Sequence, residues 1–194
     1  MKTKNFFALI VALFLFGACS SEPGMDEVKS IEKVISIVKK HVDKKYAITR
    51  IYVAEDGKLT NRLGIIIVDM YHDGKSYSFT ISDDKPSEIK EKRSSISADA
   101  SKIKGIDLDT YDCKKLLNYI EIAAEEIPKD EYVIRSVGLY TIDNLSGRGE
   151  ITHSITLNVV EKEGSTKVQG RNIVTEYYEF KFDVDKDGNV EYRE

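Results

Sequence analysis

Twice along this chain, a stretch with apolar residues at three- and four-residue spacing is followed by three stretches in which apolar and polar residues alternate. A helical period and a strand period in that fixed order leave few architectures open. Each helix has one stripe to bury and each strand set has one apolar face, so the simplest solution lays the helix on the sheet. The first helical period covers 26–45: Val28, Ile31, Val34, Ile35, Val38 and Val42 share a stripe, and Lys29, Glu32, Lys33, Lys39 and Lys40 take much of the rest. Alternating stretches at 46–54, 63–71 and 76–81 follow, separated by Glu55-Asp56-Gly57-Lys58 and His72-Asp73-Gly74-Lys75, which have turn composition. The second helical period covers 110–127, with Cys113, Leu116, Leu117, Ile120, Ala124 and Ile127 on its stripe. Asp109 or Thr110 is placed to cap it and Pro128 to stop it. Strand patterns return at 132–142, 150–161 and 175–184, and a short strand at 189–192 closes a hairpin over Asp185-Lys186-Asp187-Gly188.

The expected class is therefore α+β: two helix-plus-antiparallel-meander (αβββ) lobes at 26–82 and 109–194. Short matches support an internal duplication. Lys45-Tyr46-Ala47-Ile48 parallels Glu131-Tyr132-Val133-Ile134, and Tyr77-Ser78-Phe79-Thr80-Ile81 parallels Tyr178-Glu179-Phe180-Lys181-Phe182. Residues 83–108 read as the linker, with a short polar helix over 87–93 entered through Pro86.

The N-terminus has its own logic. Lys2 and Lys4 precede an apolar run over 6–16, and the chain turns polar directly after Cys19. That run is shorter than the roughly twenty residues a spanning helix needs, so it reads as a cleaved secretory signal. Phe16-Gly17-Ala18-Cys19 resembles the lipobox of bacterial lipoprotein precursors, with Phe16 where that family usually has Leu. The resemblance implies removal of 1–18, a lipid (palmitate among its acyl chains) on Cys19, and a tether over 19–25. Ser20, where the family's inner-membrane retention rule would place Asp, implies the outer membrane, on its periplasmic or surface face. Losing Lys2 and Lys4 moves the formal net charge from −4 to −6. With no basic stripe, nucleic acid is not an expected partner. Only Cys113 remains besides the anchor, so no intrachain disulfide is expected.

The helix-on-meander layout also resembles two kinds of secreted bacterial module, PepSY-type domains and tandem β-lactamase-inhibitor proteins. The strand–turn–strand rhythm of Tyr177 to Val190 resembles the end of a PepSY domain. No site residue is carried over from either.

Candidate chemistry is sparse. Asp183, Asp185, Asp187 and Glu194, with Gly188, match the spacing of a calcium-binding EF-hand loop. The strand pattern before them and the end of the sequence at Glu194 favour a hairpin turn, with a calcium-responsive module as the alternative. His41, His72 and His153 fall in different elements at no metal-binding spacing. Cys113 lies on an apolar stripe, where a thiol acts as a small hydrophobe; an envelope enzyme using Cys113 or scattered carboxylates is the other alternative. Tyr52, Tyr71, Tyr77, Tyr140, Tyr177 and Tyr178 could pack on sheet edges or present an open binding face. No nucleophile elbow, phosphate loop or dinucleotide fingerprint occurs. The expectation is a lipid-anchored, non-enzymatic envelope protein that binds a protein, peptide or envelope polymer or serves a structural role, with no cofactor.

Overall fold

The computed structural model describes residues 22–93, 103–144, 147–163, 166–169 and 172–193. The signal, Cys19 and Glu194 lie outside the described residues, as do parts of the linker. In chain order the elements are α1 (Val28–His41), β1 (Ala47–Glu55), β2 (Leu63–His72), β3 (Lys75–Ser82), β4 (Lys85–Pro86), β5 (Lys90–Lys92), α2 (Cys113–Glu125), β6 (Tyr132–Asp143), β7 (Thr152–Glu161), β8 (Thr166–Gln169), β9 (Asn172–Thr175), β10 (Tyr178–Val184) and β11 (Val190–Arg193).

The two meanders form one sheet. Its strand order is β11-β10-β7-β6-β1-β2-β3-β4, with β5 also on the β3 edge, and β8-β9 is a separate two-stranded ladder. The join is antiparallel and runs between the first strands of the two meanders: Arg50 faces Asp143, Tyr52 faces Thr141 and Ala54 faces Leu139. From that seam the same order of strands runs outward in both directions.

Both helices lie on one face, where a single core collects Ile31, Val34 and Val38 from α1, Leu116 and Ile120 from α2, and alternate strand residues such as Ile51, Val53, Ile66, Val68, Tyr140, Ile142, Ile155 and Leu157. Alternation leaves Tyr52, Ile65, Ile67, Leu139 and Thr156 half-buried on the other face. Met25, read as the last tether residue, is fully buried and its N–H donates to the Asn61 carbonyl at 2.9 Å. Within the segment read as linker, Ile106 and Leu108 also belong to the core.

Two sequence expectations are corrected. Residues 87–93 form no helix: Lys90–Lys92 is a strand running back along β3. Asp83 and Asp84 both take left-handed φ, 51° and 57°, which reverses the chain tightly into β4. Ser87 then exchanges hydrogen bonds with the Thr80 backbone, and a short polar segment has no apolar stripe to hold it helical against that pairing. Helix α2 is capped by neither Asp109 nor Thr110. Asp112 is its N-cap, its Oδ1 accepting from the N–H groups of Lys114 and Lys115 at 3.0 and 3.2 Å.

A polar hub bolts the halves together beside the seam. Buried Glu55 ends β1 and accepts from the N–H groups of Leu59, Thr60 and Asn61 at 3.0, 2.9 and 2.9 Å. These bonds hold a loop in which Leu59 and Asn61 take left-handed φ. Glu55 also accepts from Nδ2 of Asn158, which is fully buried on β7. In return Asn61 Oδ1 accepts from the Val137 N–H of β6 at 3.1 Å. Gly138 is required here, because a Cβ would stand 2.5 Å from Asn158 Nδ2.

Candidate functional site: a tyrosine–histidine cleft

A concavity opens beside the N-terminal end of α2. It is a cleft of about 660 Å³ walled by the loop before α2, the first turns of α2, the start of β7 and the β10–β11 turn. That volume falls within the range of small-molecule sites, about 300–1,000 Å³.

Its walls are fixed by local hydrogen bonding. Lys104 N–H donates to the Gly147 carbonyl and Ile106 N–H to the Ile48 carbonyl, both at 2.8 Å, so the loop is stitched to the start of β1. Fully buried Asn144 spans two walls: its Nδ2 donates to the Lys104 carbonyl at 2.6 Å and its Oδ1 accepts from the Gly149 N–H at 3.1 Å. Asp107 accepts from the Asp109 N–H and the Thr110 hydroxyl, each at 2.9 Å, and these bonds hold its carboxyl below the usual range. On the far side Gly188 has φ of 93°, and a Cβ there would lie 2.7 Å from the Tyr119 hydroxyl, so the tail turn closes directly on α2.

The floor is aromatic. The His153 ring packs between Tyr111 and Tyr119, with centroids at 6.2 and 5.3 Å. Nε2 of His153 and the Tyr111 hydroxyl are hydrogen-bonded at 2.9 Å. Burial, aided by the Lys115 ammonium, pushes the imidazole down to about 4, so it is neutral at neutral pH. Burial pushes the Tyr111 phenol up, and it stays protonated. His153 Nδ1 is buried without a hydrogen-bond partner.

The rim is charged, with more carboxylates than ammoniums. Lys186 pairs with Asp187 at 2.9 Å, and Lys115 Nζ sits 5.8 Å above the Tyr119 ring. Asp107, Asp112 and Glu150 add carboxylates.

The residues singled out in the sequence lie largely elsewhere. Asp183 is on β10, held by Arg193 and by the Ser154 hydroxyl at 3.0 Å. Asp185 accepts from the N–H groups of Asp187 and Asn189 and from Asn189 Nδ2, an arrangement that forms the turn itself. Of the described residues of the acidic series, only Asp187 reaches the cleft. Among the described residues no group of three or more His, Cys, Asp or Glu side chains is placed to hold a metal ion. Cys113 is half-buried against the core, and burial followed by the Glu32 and Asp112 charges pushes its thiol up. Tyr71 and Tyr140 are buried, whereas Tyr178 is exposed. Tyr111, Tyr119 and His153 carry no joint signature in the sequence: forty-two residues separate Tyr111 from His153, and only the sheet brings them together. Tyr119 is on α2 and Tyr111 is in the loop before its N-cap Asp112, so no helical spacing links the two in the sequence.

No known family matches the chain, and no curated protein does. Among solved structures, a protein from Clostridium difficile 630 provisionally described as a lipoprotein is similar at 16% identity and a TM-score of 0.48, over 84% of this chain and 92% of that one. No helix among the described residues is long and apolar enough to cross a membrane.

Proposed function

We propose that this chain is a lipid-anchored protein of the bacterial envelope that binds its ligand without transforming it, and that the tyrosine–histidine cleft is its binding site. The anchor rests on Phe16-Gly17-Ala18-Cys19, and Ser20 supports the outer membrane as its address. The observation that carries the binding assignment is the cleft itself: a concavity with a buried aromatic floor and convergent polar groups is the usual form of a ligand site.

Binding is favoured over turnover by the state of the reactive groups. The His153 nitrogen facing Tyr111 is engaged, and its imidazole is held between two rings. A phenol pushed up by burial is a poor base for His153 to act through. Cys113 has a thiol pushed up instead of down, the reverse of an activated nucleophile. The folded protein should therefore leave Cys113 unmodified by iodoacetamide at pH 7.5 on the timescale in which the urea-unfolded chain reacts fully. Rapid labelling of the folded form, or turnover on a hydrolase substrate panel that disappears in Cys113→Ala or His153→Gln, would replace this reading with an enzymatic one.

A further inference from the structure

The body takes hold of its N-terminal segment close to the lipobox cysteine. Met25 is fully buried, and its N–H donates to the Asn61 carbonyl at 2.9 Å. Gly24 lies so close that a Cβ there would stand 2.5 Å from Asn61 Nδ2, and its N–H donates to Glu27 Oε1 at 3.0 Å. Glu22 already pairs with Lys33 of α1 at 2.9 Å. Five peptide links separate Cys19 from Gly24, and fully extended they reach only about 17 Å.

Asn61 marks the end of the sheet where that segment is held. Its Oδ1 accepts from the Val137 N–H of β6 at 3.1 Å, and its own N–H is held by Glu55, the last residue of β1. The cleft is at the other end of the same strands. Its wall residue Ile106 bonds to Ile48 near the start of β1, and Asn144, which follows β6, donates its N–H to the Thr49 carbonyl at 2.8 Å. From Ile48 to Glu55, and again from Val137 to Asn144, the chain advances seven residues, or about 23 Å of strand. Helix α1 spans the same interval: it starts just after Met25, and its Lys39 pairs at 2.9 Å with Asp109 in the loop before α2.

The tether is too short for the body to turn over. To lay the cleft on the leaflet that holds the lipid, the tether would have to run back from Gly24 past about 23 Å of strand, and it reaches about 17 Å. We infer that, with Cys19 lipidated as proposed above, the end of the sheet formed by the β1–β2 loop and the start of β6 faces the lipid headgroups, and the tyrosine–histidine cleft is held at the far end, away from the bilayer. From Val137, β6 continues to Tyr132 beyond the tether exit by about 17 Å, a projection the tether is just long enough to accommodate. Two exposed apolar side chains, Val133 and Tyr178, sit at that end, opposite Val160 and Val159 of β7, and tyrosine is a residue that a headgroup layer accommodates. If the cleft is the binding site, its ligand comes from the aqueous space and is not a lipid of the anchoring leaflet.

The test is paramagnetic relaxation from a gadolinium-chelating lipid, read on the mature acylated protein in bilayer nanodiscs with a trifluoromethyl label on a single cysteine. Arg62→Cys, beside the tether exit, and Glu150→Cys, on the cleft rim, place the label at two exposed positions, each in a Cys113→Ala background. The enhancement falls with the sixth power of distance, so with the two ends about 23 Å apart it should be at least about tenfold stronger at position 62 than at position 150. Inserting ten Gly and Ser residues between Ser21 and Glu22 adds about 35 Å of reach and should shrink that ratio severalfold. Equal enhancement at the two positions with the natural tether, or a stronger one at position 150, would overturn the inference and, with acyl mass present on the same samples, leave the anchor standing. A ratio untouched by the insertion would also overturn it, because tether length would then not be what holds the cleft away. Absence of acyl mass would refute the anchor itself, and the inference with it.

Discussion

Glu55→Ala is expected to destabilise the protein by about 2–4 kcal/mol, the range for stranding a buried polar group together with the loss of a loop anchor. The cost does not come from charge. Removing the carboxylate deprives three loop N–H groups of their acceptor, but water can reach that loop and recover part of the loss. It also leaves Nδ2 of Asn158 without its acceptor at a position with no solvent exposure, and the bond to Ser136 at 3.2 Å is a weak replacement. Asn158 cannot swing away, because Gly138 packs directly against it. Glu55→Gln retains one acceptor oxygen and should lose less than half as much. Urea unfolding of the two variants measures both numbers. A loss under about 1 kcal/mol for Glu55→Ala, or equal losses for the two, would show that the hub does not lock the loop to the seam.

Acid lability at His153 is the second large effect. Free histidine titrates near 6.5, and the folded protein holds His153 down to about 4. The group is neutral in both states above about pH 7, so its contribution to stability is intact there. As pH falls from about 6.5 toward 4, the unfolded chain takes up a proton that the folded chain refuses, and stability declines; below about 4 both states are protonated and the loss levels off. Over the whole window the loss amounts to about 3 kcal/mol. The paired carboxylates of Glu179 and Asp183, held low by Lys58 and Arg193 respectively, also lose stability in acid. The signature of His153 is thus a difference: between pH 7.5 and 4.5 the wild type should lose about 2–3 kcal/mol more than His153→Gln in urea unfolding. Parallel losses would mean that the imidazole is not buried as described.

The parts of this fold that were legible in the sequence are those decided by local period. The β-branched run after Leu63 and the stripe from Ile31 to Val38 could only become a buried strand and a one-sided helix, and they did. The matched stretches also find matched contacts. Tyr46 meets Tyr77 edge-on with ring centroids 5.4 Å apart, and Tyr132 meets Tyr178 the same way at 5.9 Å.

What was not legible depended on partners far away in the chain. Nothing near Tyr52 or Thr141 announces that β1 and β6 will pair, since edge-to-edge register carries no local signal. Residues 87–93 misled because Pro86 before a charged segment suits a helix start as well as an edge strand. Asp107, Asp109 and Asp112 all have capping chemistry, and the choice of Asp112 follows from where the loop is stitched to β1. His153 looked like an ordinary strand histidine. Its partners come from α2 and the loop before it, so its environment exists only after the sheet has formed.

The claim on which the account turns is that a lipid on Cys19 holds this body against the envelope membrane. Intact-mass analysis of the mature protein, extracted with detergent from the membrane fraction of the producing cells, tests it most directly. The account predicts a chain beginning at Cys19 and carrying acyl mass, with Cys19→Ser appearing unacylated and outside the membrane fraction. A mature chain that begins at another residue, or a chain at Cys19 with no added mass, would contradict it.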